Sequence, residues 1–338
     1  MLFKRLAGLT CVGLLAGCVF GLSAAGASAA TLSGAGSTLV APIEAEWAAA
    51  FGSATGNTIT YNAVGSGTGE KDVAQGLVDF GASDAPLSAY TGVPANLVQI
   101  PWALSATGVS YHIHGVPKLK LTGNVIAAIY VGQVTNWNDA KIKRLNPRVN
   151  LPNLPITVFH RSDGSGDTYA FTKYESLASP TFRSKIGTST TVSWPVGPGA
   201  KGNTGMATAV AQTNGAIAYI AVSYLIADRL PAVFIQNAGG RYIAPNLAAI
   251  EAAANVVHSV SAANEVTIVN PPRNARSAYP ISTFTYALVP TNAKNGALLR
   301  QFLTYAITSG QQFGPRLDFA PLPRAVKNAA LATVNRIQ

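Results

Sequence analysis

His160-Arg161-Ser162-Asp163-Gly164-Ser165-Gly166-Asp167-Thr168 is the stretch that decides how this chain is read. Ahead of it, Ile156 to His160 has the pattern of a strand, and behind it Tyr169 to Leu177 has the composition of a helix. The segment is therefore a strand-to-helix junction. Its Gly-Ser-Gly turn offers free backbone N–H groups at the positive end of a helix dipole. Arg161 adds a permanently charged fork of donors beside that end. The combination suits a tetrahedral oxyanion.

Working outward, the same device recurs in Gly36-Ser37-Thr38 and Gly65-Ser66-Gly67-Thr68. Strand-like and helix-like runs alternate from about residue 31, which predicts an α/β protein. Helices are expected at Ile43 to Phe51, Glu70 to Leu77, Thr122 to Tyr130, Thr204 to Thr213, Ala293 to Thr308 and Leu322 to Ile337. Strands are expected at Thr58 to Val64, Val78 to Ser83, Val109 to Ile113, Ala216 to Val222 and Ser282 to Val289. Thr38, Ser66 and Asp84 all fall where strands hand over to helices or loops. In open α/β sheets that edge is where ligands bind.

Composition narrows the partner class. Charged residues are only 11% of the chain, so the surface is built largely from Ser, Thr, Asn, Gln and Gly; the formal charge of +10 favours anions. No block of consecutive Lys or Arg exists, which argues against nucleic acid. Residues 1 to 30 read as an export signal: Lys4 and Arg5 precede an apolar run from Leu6 to Leu22, and Ala27-Ser28-Ala29 has the small-x-small form of a cleavage site. A rival reading lies inside it, because Leu15-Ala16-Gly17-Cys18 matches the pattern before a lipidated cysteine. The two readings predict a free or a lipid-anchored protein outside the cytoplasm. An uncleaved anchor is disfavoured by the short apolar run. Both cysteines, Cys11 and Cys18, lie in this signal, so a mature chain has no thiol for disulfide, metal or nucleophile.

Ser33-Gly34-Ala35-Gly36-Ser37-Thr38, Phe80 to Ser88, Arg161 to Gly166, Trp194 to Gly197 and Gly199 to Gly205 occur in this order. The set resembles the phosphate-binding subunit of ABC phosphate importers, a periplasmic solute-binding protein family. The resemblance implies a two-lobed periplasmic-binding-protein fold, type II-like, with two crossover strands forming a hinge. Residues 31 to 110 plus 280 to 338 would form lobe 1, and 111 to 279 lobe 2. It implies a monomer that clamps inorganic phosphate between the lobes and delivers it to a membrane permease. No cofactor or metal is implied.

The donors implied by that resemblance are Thr38 (hydroxyl and N–H), the Leu39 N–H, Ser66, Arg161, the Ser165 hydroxyl and the Gly166 N–H. Asp163 would orient Arg161. Asp84 is the acceptor: an ionised carboxylate cannot donate, so it takes the ligand's own proton, which sulfate lacks. A site built to bond a ligand hydroxyl rejects an analogue without one by roughly 10⁴ to 10⁵. The chain departs from the family at Asp167, where Thr or Ser is usual. Asp167 is expected to accept the second proton of dihydrogen phosphate or to be protonated itself; the plain alternative is that it points away and favours the helix N-terminus.

Singly, each motif has an ordinary reading. Ser37-Thr38 can be an N-cap, Gly65-Ser66-Gly67 and Asp84 turn formers, and Arg161 with Asp163 a surface pair. Lys201-Gly202-Asn203 reads as a tight turn rather than a ligand contact. His112 and His114 lack metal-binding company and read as structural. Trp47, Trp102, Trp137 and Trp194 read as core. Two other functions compete. One is a binding protein for arsenate, sulfate or molybdate. The other is a phosphatase or esterase using Ser165 with His160 or Asp84, which the Gly-Ser-Gly context does not favour.

Overall fold

The computed structural model describes residues 29–338. The basic start and apolar run of the export signal, with Cys11 and Cys18, lie outside them. The described strands are β1 (Thr31–Gly36), β2 (Thr58–Asn62), β3 (Phe80–Ser83), β4 (Leu97–Tyr111), β5 (Lys120–Leu121), β6 (Thr157–Arg161), β7 (Gly199–Ala200), β8 (Ala216–Ala221), β9 (Phe234–Gln236), β10 (Tyr242–Ile243) and β11 (Ser282–Pro290). The helices are α1 (Ala41–Thr55), α2 (Ser66–Ala74), α3 (Gly123–Tyr130), α4 (Ala140–Leu145), α5 (Gly166–Ala178), α6 (Pro180–Lys185), α7 (Gly202–Gln212), α8 (Val222–Ala227), α9 (Leu247–Ala254), α10 (Gly296–Ile307) and α11 (Arg324–Val334). Among them no helix is long and apolar enough to cross a membrane.

One sheet runs in the order β2-β1-β3-β11-β4-β8-β6-β7, and β10-β9-β5 form a small second sheet. Parallel pairs dominate both ends, β1 with β2 and β3, and β6 with β7 and β8. The centre is antiparallel. There β4 changes partner: Leu97 to Ala106 pair with β11, and Thr107 to Tyr111 pair with β8. The Thr107 N–H then donates to the Ile281 carbonyl at 3.0 Å, just before β11 begins. The protein is thus an α/β molecule of two lobes joined by a pair of crossing segments. The loop around Asn264 reaches back to β4: its side-chain amide donates to the Gln99 carbonyl at 3.0 Å and to Thr333 Oγ1 at 2.7 Å.

Each lobe has its own aromatic core. On the β1 side Trp47, Phe80, Trp102 and Phe302 pack at centroid distances of 5.2 to 6.4 Å. The indole N–H groups of Trp47 and Trp102 are satisfied by the Gly310 carbonyl and Thr285 Oγ1, each at 2.8 Å. On the β8 side Tyr130, Phe171, Tyr219 and Trp194 cluster, and Trp137 donates to the Gly215 carbonyl at 3.0 Å. Buried aromatic side chains contribute roughly 1.5–3 kcal/mol each relative to exposure.

The element bounds differ from the sequence reading where they matter most. β4 has 15 residues, against an expected strand of Val109 to Ile113. Pro101 and Gly108 interrupt its apolar pattern; the ladder absorbs Pro101 beside a register shift between Thr285 and Tyr286. α2 and α5 begin at Ser66 and Gly166, several residues before their apolar runs. Their first turns are set by backbone N–H groups and caps rather than by burial periodicity.

Candidate anion-binding site

Four helix N-termini converge on one point between the lobes: those of α1 and α2 from one side, and of α5 and α7 from the other. Each contributes about half a positive charge, and its first N–H groups bond polar groups gathered there. Around that point lie Ser37, Thr38, Ser66, Asp84, Arg161, Ser165, Asp167 and Asn203, all 6% exposed or less.

The α1 side is organised by Ser37. Its Oγ accepts from the Leu39 N–H at 3.0 Å and approaches Asp84 Oδ1 and Oδ2 at 2.6 and 2.7 Å. Having taken an N–H, the hydroxyl turns its own hydrogen to the carboxyl. Leu39 N–H, expected to face the anion, is thus directed at Ser37. Ser66 Oγ accepts from Asp84 N at 3.3 Å and from Gly166 N at 3.1 Å, the latter across the cleft. It lies 3.4 Å from Asp84 Oδ2. Gly65 is bound to be glycine, with φ of 98°: a Cβ there would overlap Asp163 Oδ2 of the other lobe.

Arg161 ends β6 with its guanidinium locked. Nε donates to Asp163 Oδ1 at 2.7 Å, Nη2 to Asp163 Oδ2, and Nη1 to Asp167 Oδ2 at 3.2 Å. Burial works against charge on Asp163, but Arg161 outweighs it and holds this carboxyl below its ordinary range. The Gly202 N–H, from the start of α7, adds a bond to Asp163 Oδ1 at 3.1 Å. Ser165 caps α5: its Oγ accepts the Thr168 N–H at 3.3 Å.

Asp167 turns into the cleft, not away from it. It is 1% exposed; Oδ1 accepts from Thr107 Oγ1 at 2.7 Å, and Oδ2 from Asn203 Nδ2 at 2.7 Å as well as from Arg161. Burial, and secondly Asp167, push Asp84 up to about 8. Asp167 is raised by burial too, against the pull of Arg161, Thr107 and Asn203. One guanidinium therefore faces three carboxyls, and the closed cleft favours holding a proton.

Asn203 and Thr107 belong to this network; the sequence reading set Asn203 aside as part of a turn and passed over Thr107. Asn203 carried a signal, since Lys201-Gly202-Asn203 repeats the turn-then-helix device of the other motifs. Thr107 carried none, because it sits inside a long strand. His160 is turned elsewhere: its ring nitrogens meet the carbonyls of Arg161 and Gly197 at 3.1 and 3.0 Å, and the ring stacks on Trp194. His112 meets the Val210 carbonyl at 2.9 Å. Among the described residues no group of three or more His, Cys, Asp or Glu side chains could hold a metal ion.

Comparison with known proteins agrees with this architecture. Residues 23–309 match the model of the PBP superfamily domain. The phosphate-binding protein PstS of Xylella fastidiosa (strain Temecula1) is 35% identical over 297 residues, covering 86% of this chain and 81% of that protein. The PstS of Haemophilus influenzae is 33% identical over 306 residues, 89% of this chain and 91% of that one. A crystal structure of a phosphate ABC transporter substrate-binding protein from Clostridium perfringens, described as holding phosphate, has the same fold. Its TM-score is 0.63 at 21% identity, over 87% of this chain and all of that one. The chain belongs to the PBP superfamily and, within it, to the PstS phosphate-binding proteins.

Proposed function

We propose that this protein captures inorganic phosphate between its two lobes, outside the cytoplasmic membrane, and hands it to an ABC permease. The observation that carries the reading is the arrangement of Arg161 and Asp84 on opposite lobes. A guanidinium fixed by two carboxylates faces the convergent helix N-termini, and a buried carboxyl stands across from it. Thr38, Leu39, Ser66, Arg161, Ser165 and Gly166 act as donors to the anion, and Asp84 and Asp167 accept its hydrogens. The Leu39 and Gly166 amides, bonded to Ser37 and Ser66 in the closed molecule, exchange those partners for the ligand.

Residues 31 to 110 with 280 to 338 move as one lobe and 111 to 279 as the other. Ligand touches both sets only when they meet, so it stabilises the closed state, and the closed form docks on the permease. No bond is made or broken. Ser165 Oγ serves as a helix cap and His160 is engaged with carbonyls, which supports binding over hydrolysis. The export signal, or lipidation at Cys18, would place the protein in the periplasm or at the membrane's outer face.

Isothermal titration with phosphate, arsenate, sulfate and molybdate from acid to alkaline pH tests the reading. Heat with phosphate and none with sulfate is expected. No heat with phosphate at any pH, or equal uptake of sulfate, would overturn it.

A further inference from the structure

We propose that Asn203 is a specificity-determining positioning residue of the cleft: it makes Thr38 an obligate donor and Asp167 Oδ2 an obligate acceptor. The consequence for binding rests on the phosphate reading above; the effect on Asp167 does not.

Asn203 is fully buried at the first turn of α7. The orientation of its carboxamide follows from the backbone around it. Oδ1 accepts the Ala221 N–H at 2.8 Å, a bond that an NH₂ group could not make, so Nδ2 faces the opposite way. Its two hydrogens go to Thr38 Oγ1 at 2.8 Å and Asp167 Oδ2 at 2.7 Å. The Asn203 N–H adds a second bond to Thr38 Oγ1, at 3.3 Å. An alcohol oxygen has two lone pairs and one hydrogen. Both lone pairs of Thr38 are engaged by Asn203, so its hydroxyl can only give its hydrogen, to an oxygen of the ligand.

Asp167 is fixed by the same residue. The groups that face it are Arg161 from the end of β6, Thr107 from β4 and Asn203 from α7, with Asp163 and Asp84 as the neighbouring acids. Amide and guanidinium N–H groups cannot accept, so a proton on Oδ2 would find no partner there. Asp84 differs in having no charged side chain bonded to it: its side-chain partners are the hydroxyls of Ser37 and Ser66, which accept backbone N–H bonds and give it their hydrogens. Asn203 and Arg161 therefore keep a proton off Asp167 Oδ2 and stabilise the ionised carboxyl; on Asp167 a proton has a partner only at Oδ1, the Thr107 hydroxyl. Asn203 and Asp167 lie on one lobe and Thr38 on the other. Closure alone completes the Thr38 contact, and with it the donor that grips the anion.

Carboxyl NMR of Asp167, recorded without added phosphate, is the first readout. It is followed through pH in the wild type, Asn203→Ala and the isosteric Asn203→Asp. Asp167 is expected to titrate at higher pH in Asn203→Ala than in the wild type. Phosphate affinity by calorimetry should fall roughly 30- to 100-fold, the scale of losing a charge-assisted hydrogen bond and a polarised donor. In a Thr38→Val background the same substitution should cost less, because the hydroxyl it polarises is gone. Asn203→Asp should bind worst above neutral pH and recover as pH falls. An unchanged Asp167 titration, or phosphate affinity within about threefold of the wild type in Asn203→Ala, overturns the proposal. If the wild type takes no phosphate, the ligand reading falls, and the Asp167 titration still decides the role of Asn203. Should Asn203→Ala fail to fold, Asn203→Asp carries the same titration.

Discussion

Gly166 and Asp84 meet across the cleft with no room for a methyl group. A Cβ built on Gly166 would lie 2.5 Å from Asp84 Cβ and 2.6 Å from its Oδ2, contacts that real Cβ atoms do not make. Gly166 opens α5, and Asp84 directly follows β3. Closure is therefore gauged by the absence of a side chain.

Gly166→Ala should fold normally and fail to close. Its melting temperature should stay near that of the wild type, because the alanine is compatible with a helix first turn. Phosphate affinity should fall by about 100-fold or more, the scale expected when a site is displaced by roughly 1 Å. Small-angle scattering checks the mechanism: the wild type should contract on adding phosphate and the variant should not.

Asp84→Asn should erode discrimination rather than simply weaken binding. The carboxamide keeps the shape of the carboxyl but supplies an NH₂ donor, which suits an oxyanion lacking a hydrogen. The ratio of phosphate to sulfate affinity should drop by a large part of the roughly 10⁴–10⁵ that a hydroxyl-reading site provides. Competition calorimetry measures that ratio. An unchanged ratio would show that Asp84 does not read the ligand's proton.

Phosphate binding should take up protons. Three carboxyls and one guanidinium share the closed cleft, and burial with the neighbouring Asp167 lifts Asp84 to about 8. A dianion entering that field is stabilised by protonation, so affinity should decline as pH rises above neutral. Calorimetry in buffers of different ionisation heat counts the protons. Asp167→Thr removes one carboxylate, so it should take up fewer protons and show a flatter profile; profiles identical to the wild type would remove Asp167 from the linkage.

Glu175 governs a separate, stability-linked titration. It is completely buried on α5, neither side-chain oxygen has a hydrogen-bond partner, and burial raises it well above the ordinary 4.5. The folded protein keeps this proton while the unfolded chain releases it above that value. Stability contributed by this group is therefore complete below 4.5 and is lost as pH rises, by at most about 1.4 kcal/mol per pH unit for one proton. Glu44, raised to about 8 by burial, has the same sign. Glu175→Gln should flatten the decline in melting temperature between mildly acid and alkaline pH. An equal slope in both proteins would show that Glu175 is ionised in the fold.

The strand-to-helix junction at Arg161 to Thr168 and the pairing of Arg161 with Asp163 were legible from the sequence; Ser165, read there as a ligand donor, caps the helix as well. Each is a local matter. A guanidinium and a carboxylate two residues apart at a turn find each other, and a serine before a glycine-led helix caps it. Alternation of apolar runs gave the α/β class for the same reason, since strand and helix periods are properties of neighbouring residues.

What only the tertiary structure decided depends on groups far apart in the chain. Asn203 meets Thr38 from 165 residues away, Asp167 meets Thr107 from 60, and the Gly166 N–H meets Ser66 from 100. No local pattern encodes those meetings. They arise because β4 changes partner at Thr107 and brings two independently packed lobes face to face. The state of each acid follows from that meeting: burial removes water from all of them, and only the donors folded against each one determine where charge is kept. The residues supplied by the sequence could bind an anion; their opposition across a closed cleft decides which protons that anion must carry.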